Sequence, residues 1–94
     1  MKQKYRTELG MVSEVLQVTM DCGMQGVIIS SIARSANLSH YAALEKCQKL
    51  IDSGLMESRG DKKSRSFVIT EKGIQFYHVM QKFLVLAQET KIRY

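Results

Sequence analysis

The feature that most constrains the fold is residues 29–55, where two helical periods flank a short stretch that cannot continue either of them. Ile32, Ala33 and Ala36 recur at the 3–4 spacing of one face of a short helix. Asn37-Leu38-Ser39 then interrupts the pattern. Asn37 tolerates the left-handed backbone of a tight turn, and Leu38 is placed to plug the gap between the helices. Ser39 is a good N-cap, because its hydroxyl oxygen can accept from an orphan amide of the following turn. Ala43, Cys47, Leu50 and Ile51 recur at i, i+4, i+7 and i+8, which gives the second helix one apolar face. Ser53-Gly54 stops it, since glycine suits the left-handed residue after a helix. Two helices joined by so short a turn make a helix-turn-helix, a motif whose second helix enters the DNA major groove. The face left for a groove carries Ser39, His40, Tyr41, Ala42, Glu45, Lys46 and Lys49.

Upstream of this motif, Leu9, Val12, Val15, Leu16, Thr19 and Met20 follow helical spacing from Thr7, and Gly23 closes that helix. Residues 1–6 are polar and expected to fray, and residues 25–28 have room for a strand of two or three residues at most. Downstream, the period changes from 3.6 to 2. Residues 55–59 and 65–69 are β-compatible runs around Gly60-Asp61-Lys62-Lys63-Ser64, which predicts a hairpin with a glycine-containing loop. Alternation places Phe67 and Ile69 on one face of the second run, with Ser66 and Val68 on the other. Thr70 is an N-cap for a last helix, and Glu71 suits the positive end of its dipole. Gly73 in the first turn costs up to about 1 kcal/mol relative to alanine, which predicts close packing there against the hairpin or the first helix.

The last helix is expected over 71–90, roughly 30 Å by helical rise, and its apolar set is wider than one stripe. One row is Phe76, Met80, Phe83 and Ala87; another is Ile74, Tyr77 and Leu84. A single row docks the helix on its own domain. A second row implies another molecule covering it, since so large a patch is unusual on a monomer in water. The expected architecture is α+β, mostly α: helix, tiny strand, helix, helix, strand, wing, strand, long helix. It forms a single domain over 1–94, with a core at 7–69 and a dimerisation helix at 70–90. The interface is expected at Phe76, Met80, Phe83, Leu84 and Ala87.

Charge points to an anionic partner. The net charge is +5 and the pI is near 9.4, and the cations are clustered. Arg59, Lys62, Lys63 and Arg65 crowd the hairpin loop against Asp61, while Lys2, Lys4 and Arg6 gather near the N-terminus. A lipid-binding chain would carry its cations on an amphipathic helix; here the densest charge lies between strands. No apolar run is long enough for a membrane span, and no secretory h-region follows the basic start. The expected location is cytoplasmic, or host cytoplasm for a viral chain. Cys22 and Cys47 lack metal-ligand spacing. Reduced thiols, with Cys47 a small core hydrophobe, are the plainer reading, and a disulfide stays open.

These residues carry a likeness. Ala-Asn-Leu-Ser at 36–39, the apolar set on the next helix, Ser-Gly-Leu-Met at 53–56, the hairpin, and Ile-Thr-Glu-Lys-Gly at 69–73 are the pieces that carry it. Together they resemble the small winged helix-turn-helix proteins of archaea and their viruses. That group includes dimeric chromatin-like DNA binders with a long C-terminal helix, and viral regulators related to MarR-like transcription factors. The resemblance spans residues 7–90. It implies a homodimer on double-stranded DNA, joined through terminal helices, with helix 39–53 in the major groove and wing 59–65 on the backbone or minor groove. Carried onto this chain, Ser39, His40, Tyr41, Ala42, Lys46 and Lys49 match the groove-facing helix, and Arg59, Lys62, Lys63 and Arg65 match the wing. The chain departs from the pattern at Asn37, where glycine is usual, at Lys46, where an apolar residue is usual, and at Ala43, often bulkier.

In chemical terms, the lysines and wing cations would neutralise phosphates. Arg34, on the first helix of the motif, would touch phosphate as well. Base edges would be met by Ser39, Tyr41 and His40, and no arginine on that helix is placed to grip a guanine. His40 and His78 have no companion ligand, so no metal or cofactor is expected. Cys47 on a core face has no base to activate it, and no phosphate loop or carboxylate pair is present, so the chain does not read as an enzyme. Aromatic and Met residues of the last helix could line an effector pocket, although dimer core is the preferred role. The reading is therefore a sequence-specific transcriptional regulator. The alternatives are an architectural chromatin-like protein of low specificity and a winged helix that docks a protein partner.

Overall fold

Hydroxyl side chains set where three of the four helices begin. The computed structural model describes residues 7–91 as α1 (Glu8–Cys22), a 3-10 turn (Gly23–Gln25), α2 (Ile29–Ser35), α3 (His40–Asp52), β1 (Met56–Arg59), β2 (Ser66–Ile69) and α4 (Glu71–Glu89). The Thr7 Oγ1 accepts from the Gly10 amide at 2.9 Å, the Ser39 Oγ from Ala42 at 3.0 Å, and the Thr70 Oγ1 from Gly73 at 3.0 Å. Each satisfies one donor that the first helical turn leaves unpaired. Thr70 also donates to the Gly54 carbonyl at 2.8 Å, which binds the end of the helix-turn-helix to the start of α4. The basic N-terminal cluster Lys2, Lys4 and Arg6 lies outside the described residues.

The turn between α2 and α3 takes the conformation its residues favour. Asn37 is left-handed, with φ of 56°, and the Leu38 amide donates back to the Ala33 carbonyl at 2.8 Å. Leu38 is half-buried against the core.

β1 and β2 pair antiparallel, Met56 opposite Ile69 through Arg59 opposite Ser66. The small strand expected at residues 25–28 contracts to a single bridge between Val27 and Phe67. Gly26 sits at φ of +81° just before it, and α2 starts just after it, so the chain stays extended for too short a distance to build a ladder. The 3-10 turn and α1 both pack on β2, and Gly26, just after the turn, lies against Ser66 and Val68. Val68, on the face opposite Phe67, is as buried as Phe67, each 1% exposed.

The core is drawn from all four α-helices and both strands: Val15 and Leu16 of α1, Ile32 of α2, Ala43, Cys47 and Leu50 of α3, Met56 and Phe67 of the hairpin, and Tyr77 and Met80 of α4. Gly73 meets its expectation. A Cβ there would land on the Leu55 carbonyl oxygen and within 2.7 Å of Ile69 Cγ1, so only glycine lets α4 lie this close to the hairpin. Gln81 reinforces the α1–α4 seam by donating to the buried Ser13 hydroxyl at 2.9 Å.

The apolar rows of α4 regroup. Tyr77, Met80 and Ala87 are buried and Ile74 and Leu84 half-buried, on the side that packs against the chain's own body. The outward row is Phe76, Val79, Phe83 and Leu86. Met80, Leu84 and Ala87, expected at an intermolecular interface, therefore serve the protomer's own packing. A 3.6-residue period does not by itself say which of two adjacent stripes the domain will use.

Candidate nucleic-acid interface

The exposed end of α3 is its beginning. Ser39, His40 and Tyr41 face solvent, Tyr41 with 75% of its surface free, and Ala42 is half-buried behind them. Ser39 uses one acceptor site of its oxygen on the cap, which leaves its O–H and one lone pair for a ligand. Arg34 is exposed in the last turn of α2.

The wing is a preorganised loop rather than a slack one. Asp61 Oδ1 accepts from the amides of Lys63 and Ser64, both at 3.0 Å, and from the Ser64 hydroxyl at 3.1 Å. Those bonds, the Ser64 amide foremost, hold the Asp61 carboxyl below its usual pKa. Gly60, at φ of +87°, turns the chain where a Cβ would strike the Ser64 carbonyl oxygen. Lys62 and Lys63 ride this turn exposed. At the wing's root, the Arg65 guanidinium lies 4.9 Å from the centre of the Phe67 ring, a cation–π placement that fixes it. Arg59 donates to the Met24 carbonyl at 3.4 Å and lies 3.9 Å from Glu57, so it braces the wing against the 3-10 turn.

One expected groove residue is elsewhere. Lys46 is 6% exposed, its ammonium 2.8 Å from Glu8 Oε1 and 3.4 Å from Glu45 Oε1. The helix position that usually carries an apolar side chain still points inward here, and lysine fills it by burying its stem and pairing its charge. Lys49, exposed on the next turn, reaches Glu8 Oε2 at 3.0 Å. The hydrogen bonds from Lys46 and Lys49 hold the Glu8 carboxyl below 4.5, and the Glu8 hydrogen bond lifts Lys46 above 10.5 despite its burial. Sequence reasoning missed Glu8 because the contact joins residues 38 and 41 positions apart. Asp61 was visible only as a countercharge; an Asp just after Gly60 in a hairpin loop, able to form an Asx-turn with the amide of Lys63 two residues on, is the signal that could have found it.

Both cysteines are free thiols, and burial pushes Cys47 up to about 12, Arg65 pulling weakly the other way. Among the described residues no cluster of His, Cys, Asp and Glu could hold a metal ion. No described helix is long and apolar enough to cross a membrane.

A family model described as winged helix-turn-helix matches residues 5–88, and the chain belongs to that family. No curated protein sequence matches it. Among solved structures it is similar to Sso10a-2, a DNA-binding protein from Sulfolobus solfataricus, at 15% identity and a TM-score of 0.78, covering 92% of this chain and 86% of that one. It is similar also to the PcaV transcriptional regulator from Streptomyces coelicolor in complex with its natural ligand (13%, 0.75), covering 94% of this chain and 62% of that one. The S. aureus MepR–DNA complex is a third likeness (13%, 0.68), covering 86% and 68%. At these identities, the likeness establishes the fold.

Proposed function

We propose that the chain binds double-stranded DNA as a homodimeric, sequence-specific transcriptional regulator. The observation that carries this is the pairing of an exposed α3 start with a rigid cationic wing on one winged-helix frame. The N-terminal turn of α3, with Ser39, His40 and Tyr41, enters the major groove, backed by Ala42, while Lys49 stays paired with Glu8. Lys62 and Lys63 neutralise phosphates beside it, aided by Arg34, Arg59 and Arg65. Lys46 makes no DNA contact and ties α3 to α1. The similar Sso10a-2 is described as a DNA-binding protein, and the similar MepR was solved with DNA.

Dimerisation uses the outward row of α4. Phe76, Val79, Phe83 and Leu86 recur at i, i+3, i+7 and i+10, the seam of a two-helix coiled coil, with exposures of 38%, 66%, 49% and 59%. A second reading, architectural binding with little sequence preference, draws support from α3 itself, whose lysines are both engaged by Glu8.

Titration of labelled duplex DNA across a salt series tests the proposal. Lys62→Ala with Lys63→Ala weakens binding to every duplex alike and lowers the slope of log K on log salt by about 1 for each phosphate no longer neutralised. An unchanged slope contradicts the wing assignment. Absence of duplex binding at low salt favours the protein-docking alternative.

A further inference from the structure

Among the described residues, four charged groups, two of each sign, meet at the first turn of α1. Glu8 and Glu45 supply two carboxylates, Lys46 and Lys49 two ammoniums, all joined through contacts of 2.8 to 3.4 Å. Three of these residues belong to α3, the helix read above as the one that enters DNA. Glu8 does not: it is the first residue of α1, brought there because α1 packs across α3. Its side chain is 48% exposed and that of Lys49 56% exposed, so this pair lies open to whatever approaches α3.

We infer that Glu8 is a positioning residue for DNA recognition: it holds Lys49 on the protein and away from phosphate, leaving phosphate attraction to the wing. The inference rests on the DNA-binding reading and adds to it. A lysine whose ammonium sits 3.0 Å from a carboxylate must exchange that partner for phosphate before it can release a counterion from DNA. The nearby carboxylate also repels the phosphate it would turn to. Lys46 cannot compensate, because its amine is sequestered behind the same carboxylate. The start of α3 then approaches the groove through Ser39, His40 and Tyr41, whose contacts depend on base edges and shape and only weakly on salt.

The test is the salt dependence of duplex binding by the full chain carrying Glu8→Gln, Lys49→Gln, or both, with urea unfolding as a control for folding. Each lysine newly engaged with phosphate adds about 0.9 to the slope of log K on log salt. Glu8→Gln is expected to steepen the slope by about 1 per protomer. Lys49→Gln alone leaves it near the wild-type value, and the double variant loses the gain. A purely structural Glu8 alters unfolding without moving the slope, so a folded Glu8→Gln protein with the wild-type slope overturns the inference. A gain that survives in the double variant overturns it too. Where Glu8→Gln does not fold, Lys49→Gln decides: a fall of about 1 per protomer means Lys49 already contacts phosphate and refutes the proposal. Failure of the wild-type chain to bind duplex at low salt removes the DNA reading itself, a result distinct from any slope comparison.

Discussion

Single residues in this chain act through the neighbours they permit as much as through their own chemistry. Gly73 is the clearest instance. Alanine at an exposed helix position gains up to about 1 kcal/mol over glycine, yet here its methyl would meet the Leu55 carbonyl oxygen. Gly73→Ala should therefore destabilise, by about 1–3 kcal/mol as overpacked sites do, read as a lower urea midpoint at unchanged m-value. Glu8 makes a prediction of opposite character. Its folded-state pKa lies below the ordinary 4.5, through hydrogen bonds from Lys46 and then Lys49, so its contribution is fully present above 4.5 and fades as pH falls through the lower value. Wild-type protein should lose more stability on acidification than Glu8→Gln, which has no proton to take up there; equal losses would count against the cluster. Gly73 was legible in the sequence because a glycine in a first helical turn asks for a reason. Glu8 was not, because nothing local links it to α3.

Among the elements, legibility followed the reach of the determining interaction. The helix starts at Thr7, Ser39 and Thr70, the Asn37 turn and the hairpin were readable because each is settled within a few residues. The Val27 strand was overestimated, and the second covered face of β2 unforeseen, because both depend on where the 3-10 turn lies over the sheet. The inward placement of Lys46 belongs with these: a charged residue reads as outward until a distant carboxylate is known to receive it. The wing yields a prediction at this level. Its order rests on three hydrogen bonds to one oxygen of Asp61. Asp61→Ala should open the loop and speed trypsin cleavage after Lys62 and Lys63, while Asp61→Asn, which keeps an acceptor oxygen, should cleave more like wild type. Equal rates in all three would show that the loop is ordered by something else.

Across the molecule as a whole, two surfaces matter, and the sequence indicated them with unequal clarity. The exposure of the start of α3 and of the wing lysines was legible; the inward turn of Lys46 was not. For α4 the existence of two apolar rows was legible, but their assignment was not, because only packing against α1 decides which row turns inward. The outward row leads to a direct expectation: Phe83→Glu should convert a dimer to a monomer in sedimentation while leaving the fold intact, since Phe83 is 49% exposed within the protomer. A variant that still sediments as a dimer would remove α4 from the interface. Whether the start of α3 and the wing form one surface for duplex DNA is best decided by selecting bound sites from random duplex DNA at two salt concentrations. Such a surface retains duplex at low salt and, as salt rises, enriches paired half-sites about 10 base pairs apart. Failure to retain any duplex at low salt would contradict it.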